Sequence, residues 1–505
     1  MKVFLMYKDK DFDLHVRLPS NSETLIQDLR LNILFDTMAK NDDFLREVSK
    51  VVLLSSLTKV DDIFYRQEAL KDCLKNIDLV RGMYAISLES FEVERKTFFG
   101  FFSKYPIGML DSSIRAMKIL IELLKKLRKM ALDNSNGFHS SAFKNFFDRI
   151  KDELTDEYFA EVESHLKKLE FRNGLLISAQ LGEGNKGKNY VLRGQNDEKK
   201  RWLSKIFSKK DEAYTFKIDE RDQNGAKALS NLKERGINSV ANALSQSVEH
   251  MMNFFKNLRT ELAFYLAAVN LYEELKNAGK PLSFPIALPH NERTLHFEQL
   301  YDPSLALKGN VVANSLNVNE KNLFIITGAN RGGKTTFLRS IGIAFLMMQA
   351  GLFVTASAFS SNIFKKFFTH YRREEDRAME SGKLDEELKR MNAIVNNITS
   401  DSLVLFNESF SSTSELEGSE IAKEIVLALK KKNVEMFFVT HMYTFARNMY
   451  EEGSPDTFFL VAERLENGDR TFKIKEGIPS QTSYGVDIYK KIFNESSSHY
   501  SNVNN

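Results

Sequence analysis

Apolar positions along this chain follow two spacings, and the places where one gives way to the other divide it. From residue 21 to about 170 they recur three and four apart, as in Leu25, Leu29 and Ile33, then Phe44, Val48, Val51 and Leu54. That spacing gathers them on one face of a helix. Proline, which would interrupt one, is nearly absent, with Pro106 the only one after Pro19 in this stretch. A second helical run, about 239–277, carries Val240, Leu244, Val248, Met252, Phe255, Leu258, Leu262 and Leu266, and Gly279 and Pro281 stop it. At 1.5 Å per residue such a helix approaches ~60 Å, a length suited to an arm rather than a globular core.

Between the helical runs the pattern changes. Leu175–Leu181 and Tyr190–Leu192 read as strands around the polar loop Gly182–Asn189. From about Ser283 short apolar strands alternate with helices, which predicts an α/β domain. Near the end Phe458–Val461 and Thr471–Ile474 flank Asn467-Gly468, a hairpin turn signal. The predicted organisation is multidomain. Residues 1–20 form an N-terminal strand segment, 21–171 a first helical part, 172–235 a small insertion, 236–282 a return helix and 283–493 the α/β domain. The polar residues 494–505 form a disordered tail.

Composition narrows the class. The 505 residues include one cysteine, Cys73, which excludes a disulfide framework and a cysteine-based zinc site and fits a reducing compartment. The apolar stretch after Met1 is too short for a signal peptide. The longest apolar run, Ile341 to Val354, is short of a bilayer span and contains Gln349 and Gly351. A cytoplasmic protein without a membrane segment is expected. The net charge of +3 decides nothing alone.

Candidate chemistry concentrates in Gly328-Ala-Asn-Arg-Gly-Gly333-Lys334-Thr335, which fits the phosphate-cradling pattern GxxxxGK[ST]. The apolar strand Leu323–Ile326 precedes it and a helical pattern follows. Glycines at 328, 332 and 333 let successive backbone N–H groups face one phosphate, Lys334 reaches the terminal phosphates, and the Thr335 hydroxyl can ligate Mg²⁺. A second apolar strand, Leu403–Phe406, ends in Asn407-Glu408. Hydrolysis of a nucleoside triphosphate calls for an acidic pair here, one member for the metal and one for the attacking water. Asn407 stands at the metal side and brings no charge, so slow hydrolysis is expected. Glu408 is the candidate general base. A third strand, Met436–Thr440, ends at His441, placed to sense or stabilise a γ-phosphate.

Taken together, Thr327 to Thr336, Leu403 to Ser414, Thr440-His441 and Ser483-Tyr484-Gly485 resemble, in order and spacing, the ATPase domain of the MutS family, an ABC-type P-loop ATPase. Tyr65–Leu70 looks like the Arg-Gln segment that opens this family's helical lever domain. The resemblance implies ATP and Mg²⁺ as cofactors. It implies Asn330 as a γ-phosphate contact, Gly328, Gly332, Gly333, Lys334, Thr335 and Thr336 as the nucleotide loop, and Thr335 with Asn407 on the metal side. It implies Glu408 as the hydrolytic carboxylate, His441 as a switch histidine, and a homodimer sandwiching ATP between ATPase domains. It makes 21–171 and 236–282 the lever and 172–235 a clamp. Two departures stand out: no counterpart of the family's mismatch-reading N-terminal domain is found, and Glu380–Glu387 is acidic where the family offers a Ser/Thr pair.

The clamp expected at 172–235 contains Lys199, Lys200, Arg201, Lys205, Lys209 and Lys210 around the single tryptophan, Trp202. Non-specific binding of duplex DNA needs such cations on phosphates and no base readers. Asp197, Glu198, Asp211 and Glu212 are interleaved, as on a solvated face. The expectation is an ATP-dependent clasp on double-stranded or branched DNA that does not read mismatches. The alternative is a weakly hydrolysing, nucleotide-gated scaffold that recruits a protein.

Overall fold

Where apolar residues recur three and four apart the chain forms helices, and local chemistry fixes where several begin. Helix α3 (Asp43–Leu54) follows α1 (Ser22–Asp28) and α2 (Asn32–Ala39) and starts at Asp42, whose carboxylate accepts from the N–H groups of Phe44 and Leu45 at 2.8 and 3.2 Å. It buries Leu45, Val48, Val51, Val52 and Leu54. Helix α4 (Val60–Lys75) precedes α5 (Ile77–Phe101), α6 (Pro106–Asn134), α7 (Ser141–Glu153) and α8 (Asp156–Leu169). These coordinates are a computed structural model that describes the chain except residues 102–104, 172–173, 186, 194–216, 220, 374–381, 467–468 and 480–505. For 94–101 and 185 only the backbone is described. None of the described helices is long and apolar enough to cross a membrane.

The chain forms two compact units, one of Met1–Phe4, Asp78–His139 and Phe143–Leu262, the other of Leu5–Ile77, Ser140–Ala142 and Ala263–Asn505. In the first, α6 starts with Pro106, whose missing N–H costs nothing at a helix start, and buries Leu110, Ile114, Met117, Leu120, Leu124 and Leu127. Phe138 packs on Phe143 and Phe147 at 4.6 and 5.0 Å between ring centroids. Strands β1 (Leu176–Leu181) and β2 (Gly187–Arg193) form an antiparallel hairpin. The long helix α9 runs over Gln223–Asn277, through Leu262 in this unit and from Ala263 in the second, ~80 Å at 1.5 Å per residue. A Cβ added at Gly236 on α9 would come within 2.5 Å of Ile177 Cδ1, which places the hairpin against this helix.

Three expected boundaries are corrected here. Helix α9 begins at Gln223, so the last part of the stretch assigned to the insertion 172–235 belongs to the helix. Gly225 and Gly236 obscured a run of otherwise good helix formers. Residues 1–20 hold no strand. Val3, Leu5 and Met6 are all fully buried, not alternately, and Phe4 between them is left-handed at φ 56°. The helical part expected at 21–171 divides at Ile77, with α1 to α4 in the second unit. Arg66 of α4 is why. Its guanidinium is fully buried, donates to Met6 O and Ala350 O at 3.1 and 3.3 Å, and faces the rings of Tyr7 and Phe264. Gln67 beside it donates to Pro285 O at 3.0 Å. Buried polar groups with such partners pin a helix in place.

Two sheets build the rest of the second unit. The strands are β3 (Ile286–Leu288), β4 (Thr294–Leu300), β5 (Asn314–Asn319), β6 (Leu323–Gly328), β7 (Ala358–Asn362), β8 (Phe367–Tyr371), β9 (Leu403–Asn407), β10 (Glu435–Val439), β11 (Thr457–Arg464) and β12 (Arg470–Glu476). The larger sheet has the order β12-β11-β6-β10-β9-β8, parallel except for the β11/β12 hairpin, and the smaller the order β3-β7-β4-β5. Central strands β6, β9 and β10 are near-continuous apolar runs, as parallel strands covered on both faces require. Phe324 and Phe437 stack across β6 and β10 at 4.3 Å with planes 2° apart. Between β5 and β6 lies a tight turn, and before β5 the short helix α10 (Pro303–Ala306). Helix α11 (Lys334–Gln349) packs on β6, β9 and β10 and is buried almost all round. Helices α12 (Lys383–Asn397), α13 (Glu415–Lys431) and α14 (Tyr443–Glu451) complete the unit.

Candidate functional site

Parallel strands in register end together, and a ligand crevice forms beyond their carboxyl ends. Val439 of β10 pairs with Ile326 of β6 and with Asn407 of β9. The glycine-rich loop, Asn407-Glu408 and Thr440-His441 therefore share one edge of the larger sheet. They border a cavity of about 540 Å³ lined by Asn330 to Phe337, Glu408 and His441, with Asp302, Leu305, Val311, Val312 and Phe472 among its other walls.

The loop's backbone depends on its glycines. Gly328 sits at φ 110°, and a Cβ there would meet Ala462 N at 2.9 Å. A Cβ on Gly332 would meet both Ala329 O and Ala462 Cβ at 2.9 Å. Gly333, at φ 95°, is the N-cap of α11 and supplies no side-chain cap. The N–H groups of the first turn of α11 are thus left for a ligand, at the end where the helix dipole favours negative charge. Lys334 folds back into the loop, 5% exposed, and donates to Gly328 O and Ala329 O at 2.8 and 3.0 Å. Burial pushes its ammonium down to about 8, against the attraction of Glu408 and with the help of Arg470. A phosphate entering the cavity would offer that cation a countercharge closer than Glu408 supplies.

Glu408 follows β9 in a left-handed conformation, φ 55°, and its N–H donates to Val439 O at 2.9 Å. A non-glycine residue held there is a strained backbone position of the kind found at functional sites. Its Oε1 lies 2.8 Å from His441 Nε2. That hydrogen bond, outweighing burial, holds the carboxyl below its usual range, with Lys334 and Arg372 adding to the effect. Thr335 Oγ1 donates to Asn407 Oδ1 at 3.0 Å. Two neutral oxygens this close suit an Mg²⁺ held mainly by phosphate oxygens and water, which is how this ion is usually bound. Thr335 and Asn407 are the residues that would hold it.

Of the candidates from sequence, the structure brings together Asn330, Gly332, Gly333, Lys334, Thr335, Thr336, Glu408 and His441 at the cavity. Gly328 lies at the base of the loop and Asn407 behind Thr335. Lys199, Lys200, Arg201, Lys205, Lys209 and Lys210 lie outside the described residues, as do Trp202, the first two residues of Glu380–Glu387, and Ser483–Gly485. In the acidic segment, Glu387 is 4% exposed and its carboxyl is raised by burial, partly offset by hydrogen bonds from Ser412 and the Phe410 backbone and by the charges of Arg390 and Arg372. Asp385 pairs with Lys389 at 2.8 Å. Sequence reasoning missed Leu305, Val311, Val312 and Phe472. Val311-Val312 lies in a loop with no periodicity, and Phe472 reads only as a hairpin residue. Its left-handed φ of 60° sets it against Gly333.

The family model for the MutS2 N-terminal domain matches residues 58–278 and that for MutS domain V matches 324–497. Among similar proteins, the DNA mismatch repair protein MutS of Persephonella marina is 25% identical over 493 residues, 88% of this chain and 55% of the relative. MutS of Leuconostoc citreum is 27% identical over 247 residues, 48% of this chain and 28% of the relative. MutS of Thermotoga maritima is 33% identical over 174 residues, 34% of this chain and 22% of the relative. The chain thus spans little more than half the length of these relatives at most.

Proposed function

The chain belongs to the MutS family, and from that premise we propose that it binds ATP with Mg²⁺, hydrolyses it slowly, and as a homodimer clasps duplex or branched DNA without reading mismatches. The observation that carries the nucleotide reading is the cavity itself. One wall offers uncapped helix N–H groups and a buried ammonium, another the Glu408–His441 pair, and a third the apolar side chains Leu305, Val311, Val312 and Phe472. Phosphates, an attacking water and a flat base have those three needs. Mg²⁺ held by Thr335 and Asn407 would supply positive charge to offset that of the phosphates. Lys334 would turn from its two carbonyls to the phosphates. Glu408 would orient water in line, and His441 would hold Glu408 or the γ-phosphate according to what is bound. Neutral Asn407 is the reason to expect slow turnover.

The lining of the cavity includes none of residues 382–397, which favours their acting on a partner's nucleotide, across a dimer of ATPase domains. The long helix α9 and the hairpin resting on it fit a lever and a clamp, with the basic stretch from Lys199 to Lys210 supplying phosphate contacts. Neutral Asn407 also favours the second reading, a nucleotide-gated scaffold that recruits a protein.

DNA binding at two salt concentrations, with and without ATP, on duplex and four-way junction substrates, separates the two. Each phosphate contact should contribute about 0.9 to the salt slope of log affinity on duplex DNA. Replacing Lys199, Lys200 and Arg201 together with Ala should weaken binding about equally for all sequences and leave ATP binding intact. Wild-type affinity and slope in that variant would remove the clamp assignment. Failure of the wild type to bind DNA at low salt would leave the scaffold.

A further inference from the structure

We propose that His370 is a positioning residue that ties helix α12 to the strand end bearing Glu408, by moving one hydrogen bond between the Ser409 hydroxyl and the Glu387 carbonyl. The proposal rests on Glu408 being the hydrolytic carboxylate. His370, on β8, is fully buried. Its Nδ1 lies 2.7 Å from Ser409 Oγ and its Nε2 3.0 Å from the backbone oxygen of Glu387, the fifth residue of α12. Ser409 Oγ in turn donates to the backbone oxygen of His370 at 2.6 Å. The Phe410 ring stacks on the imidazole, 5.3 Å between centroids with planes 21° apart. Thus one ring touches the segment that follows Glu408 on one side and α12 on the other.

The hydrogen count does not close. The Glu387 carbonyl only accepts, so its contact needs a hydrogen on Nε2. With the hydroxyl hydrogen of Ser409 on His370 O, the contact at Ser409 needs a hydrogen on Nδ1. Both together would make the ring a cation. Burial, with Arg390 and Arg373 nearby, pushes the imidazole down to about 4. At neutral pH, one ring hydrogen and one hydroxyl hydrogen must therefore serve three contacts. In one arrangement Nδ1–H donates to Ser409, Ser409 donates to His370 O, and the bare Nε2 lone pair faces the Glu387 oxygen at repulsive range. In the other, Nε2–H donates to Glu387 O, and Ser409 turns its hydrogen from His370 O to Nδ1. The first loosens the start of α12 and the second fastens it.

The segment at Ser409 has little slack to absorb this exchange. Glu408 and Phe410 on either side are both left-handed, at φ 55° and 63°. A Cβ on Gly418 would lie 2.3 Å from Phe410 O, so that carbonyl is closely packed against α13. A movement of α12 therefore reaches Glu408 through Ser409. If the start of α12 meets a partner's nucleotide, closure of the dimer would be felt at the hydrolytic carboxylate of this chain.

The test combines His370→Phe, which keeps the stack and deletes both bonds, with His370→Gln, which keeps a donor toward Glu387, and Ser409→Ala. ATP affinity by calorimetry should stay within about twofold of wild type in all three. His370→Phe should lower kcat by about tenfold or more at unchanged KM, and His370→Gln should restore part of that loss. Imidazole ¹⁵N shifts of His370 should report one tautomer without nucleotide and the other with a non-hydrolysable ATP analogue. They should report the Nε2–H tautomer throughout in Ser409→Ala. Wild-type kcat in His370→Phe would overturn the proposal. So would parallel loss of affinity and kcat with no rescue by Gln, since that is what a merely structural histidine gives. If the wild type binds no ATP, the nucleotide reading fails separately, and an Nδ1–H tautomer in Ser409→Ala would still overturn the coupling.

Discussion

Glu408 and His441 end neighbouring strands and share a hydrogen bond of 2.8 Å across the mouth of the cavity. Each is partly exposed, 28% and 27% of the side chain, so both can meet a ligand without the fold opening. While the bond stands, Glu408 is held ionised and its Oε1 is occupied. On the proposed reading, a γ-phosphate competing for His441 would release that oxygen for water and so link phosphate arrival to base readiness through one imidazole.

That arrangement predicts distinct outcomes for the two residues. Glu408→Gln should keep ATP affinity within a few-fold and lower single-turnover hydrolysis by about 100-fold, as loss of a general base does. His441→Ala should give a smaller loss, since water can replace its hydrogen bond to Glu408. Rapid-quench measurement of the first turnover decides this. Equal hydrolysis in Glu408→Gln and wild type would remove Glu408 from the chemistry.

Lys334 makes the binding prediction. Its ammonium is held by two carbonyls and, among the described residues, forms no ion pair, with Glu408 acting on it only through space, so it remains available to phosphate. Lys334→Ala should abolish ATP binding or weaken it by about 100-fold or more, because the β- and γ-phosphates lose their cation. The loop fold itself should survive, since Gly328, Gly332 and Gly333 set it. Calorimetric titration with ATP is the measurement, and wild-type affinity would rule out the phosphate role of this loop.

Asn407 tests the metal side. Asn407→Asp places a charge 3.0 Å from the Thr335 hydroxyl, where Mg²⁺ would gain a carboxylate partner. The Mg²⁺ concentration giving half-maximal turnover should fall, and steady-state hydrolysis should rise if Glu408 is competent. Unchanged or lower turnover across an Mg²⁺ titration would count against a metal-side role.

Much of this site was legible in the chain because its parts are short and chemically loud. Leu323–Ile326, Leu403–Phe406 and Met436–Val439 are apolar runs bounded by turn residues, and each ends in a polar group, so strand ends and candidate chemistry coincide. What escaped was set by distant packing. Nothing around Val311-Val312 or Phe472 says that they wall the same cavity as Lys334, because the loop before β5 of the smaller sheet and the β11/β12 hairpin of the larger meet only in the folded chain. The division at Ile77 escaped for a similar reason. Helical periodicity shows that α4 has a buried face, but not that Arg66 is buried among Tyr7, Phe264 and the Ala350 carbonyl. The start of α9 at Gln223 was hidden by two glycines that packing tolerates, one of them under the hairpin at Ile177.

The last prediction concerns stability, at the opposite end of the sheet from the nucleotide cavity. Glu435 opens β10, is 6% exposed, and donates its N–H to Ser402 O at 2.9 Å. Burial raises its carboxyl from an ordinary 4.5 to about 7, opposed by a hydrogen bond from Asn362 and by the charge of Arg293. Between those two values the folded chain keeps a proton that the unfolded chain has lost. The folded state therefore binds more protons than the unfolded state in this window, and stability falls as pH rises from about 4.5 to about 7. Above that, both states are ionised and the penalty is constant, on the order of 3 kcal/mol for a shift of this size. Glu435→Gln removes the ionisation and keeps an amide able to bond Asn362. The variant should be more stable than wild type at pH 8, with the gain shrinking steadily toward pH 5. Urea unfolding of both proteins at pH 5, 6, 7 and 8 measures the difference. A stability difference that does not change with pH would mean that Glu435 stays charged in the folded protein, held by Arg293 rather than neutralised by burial.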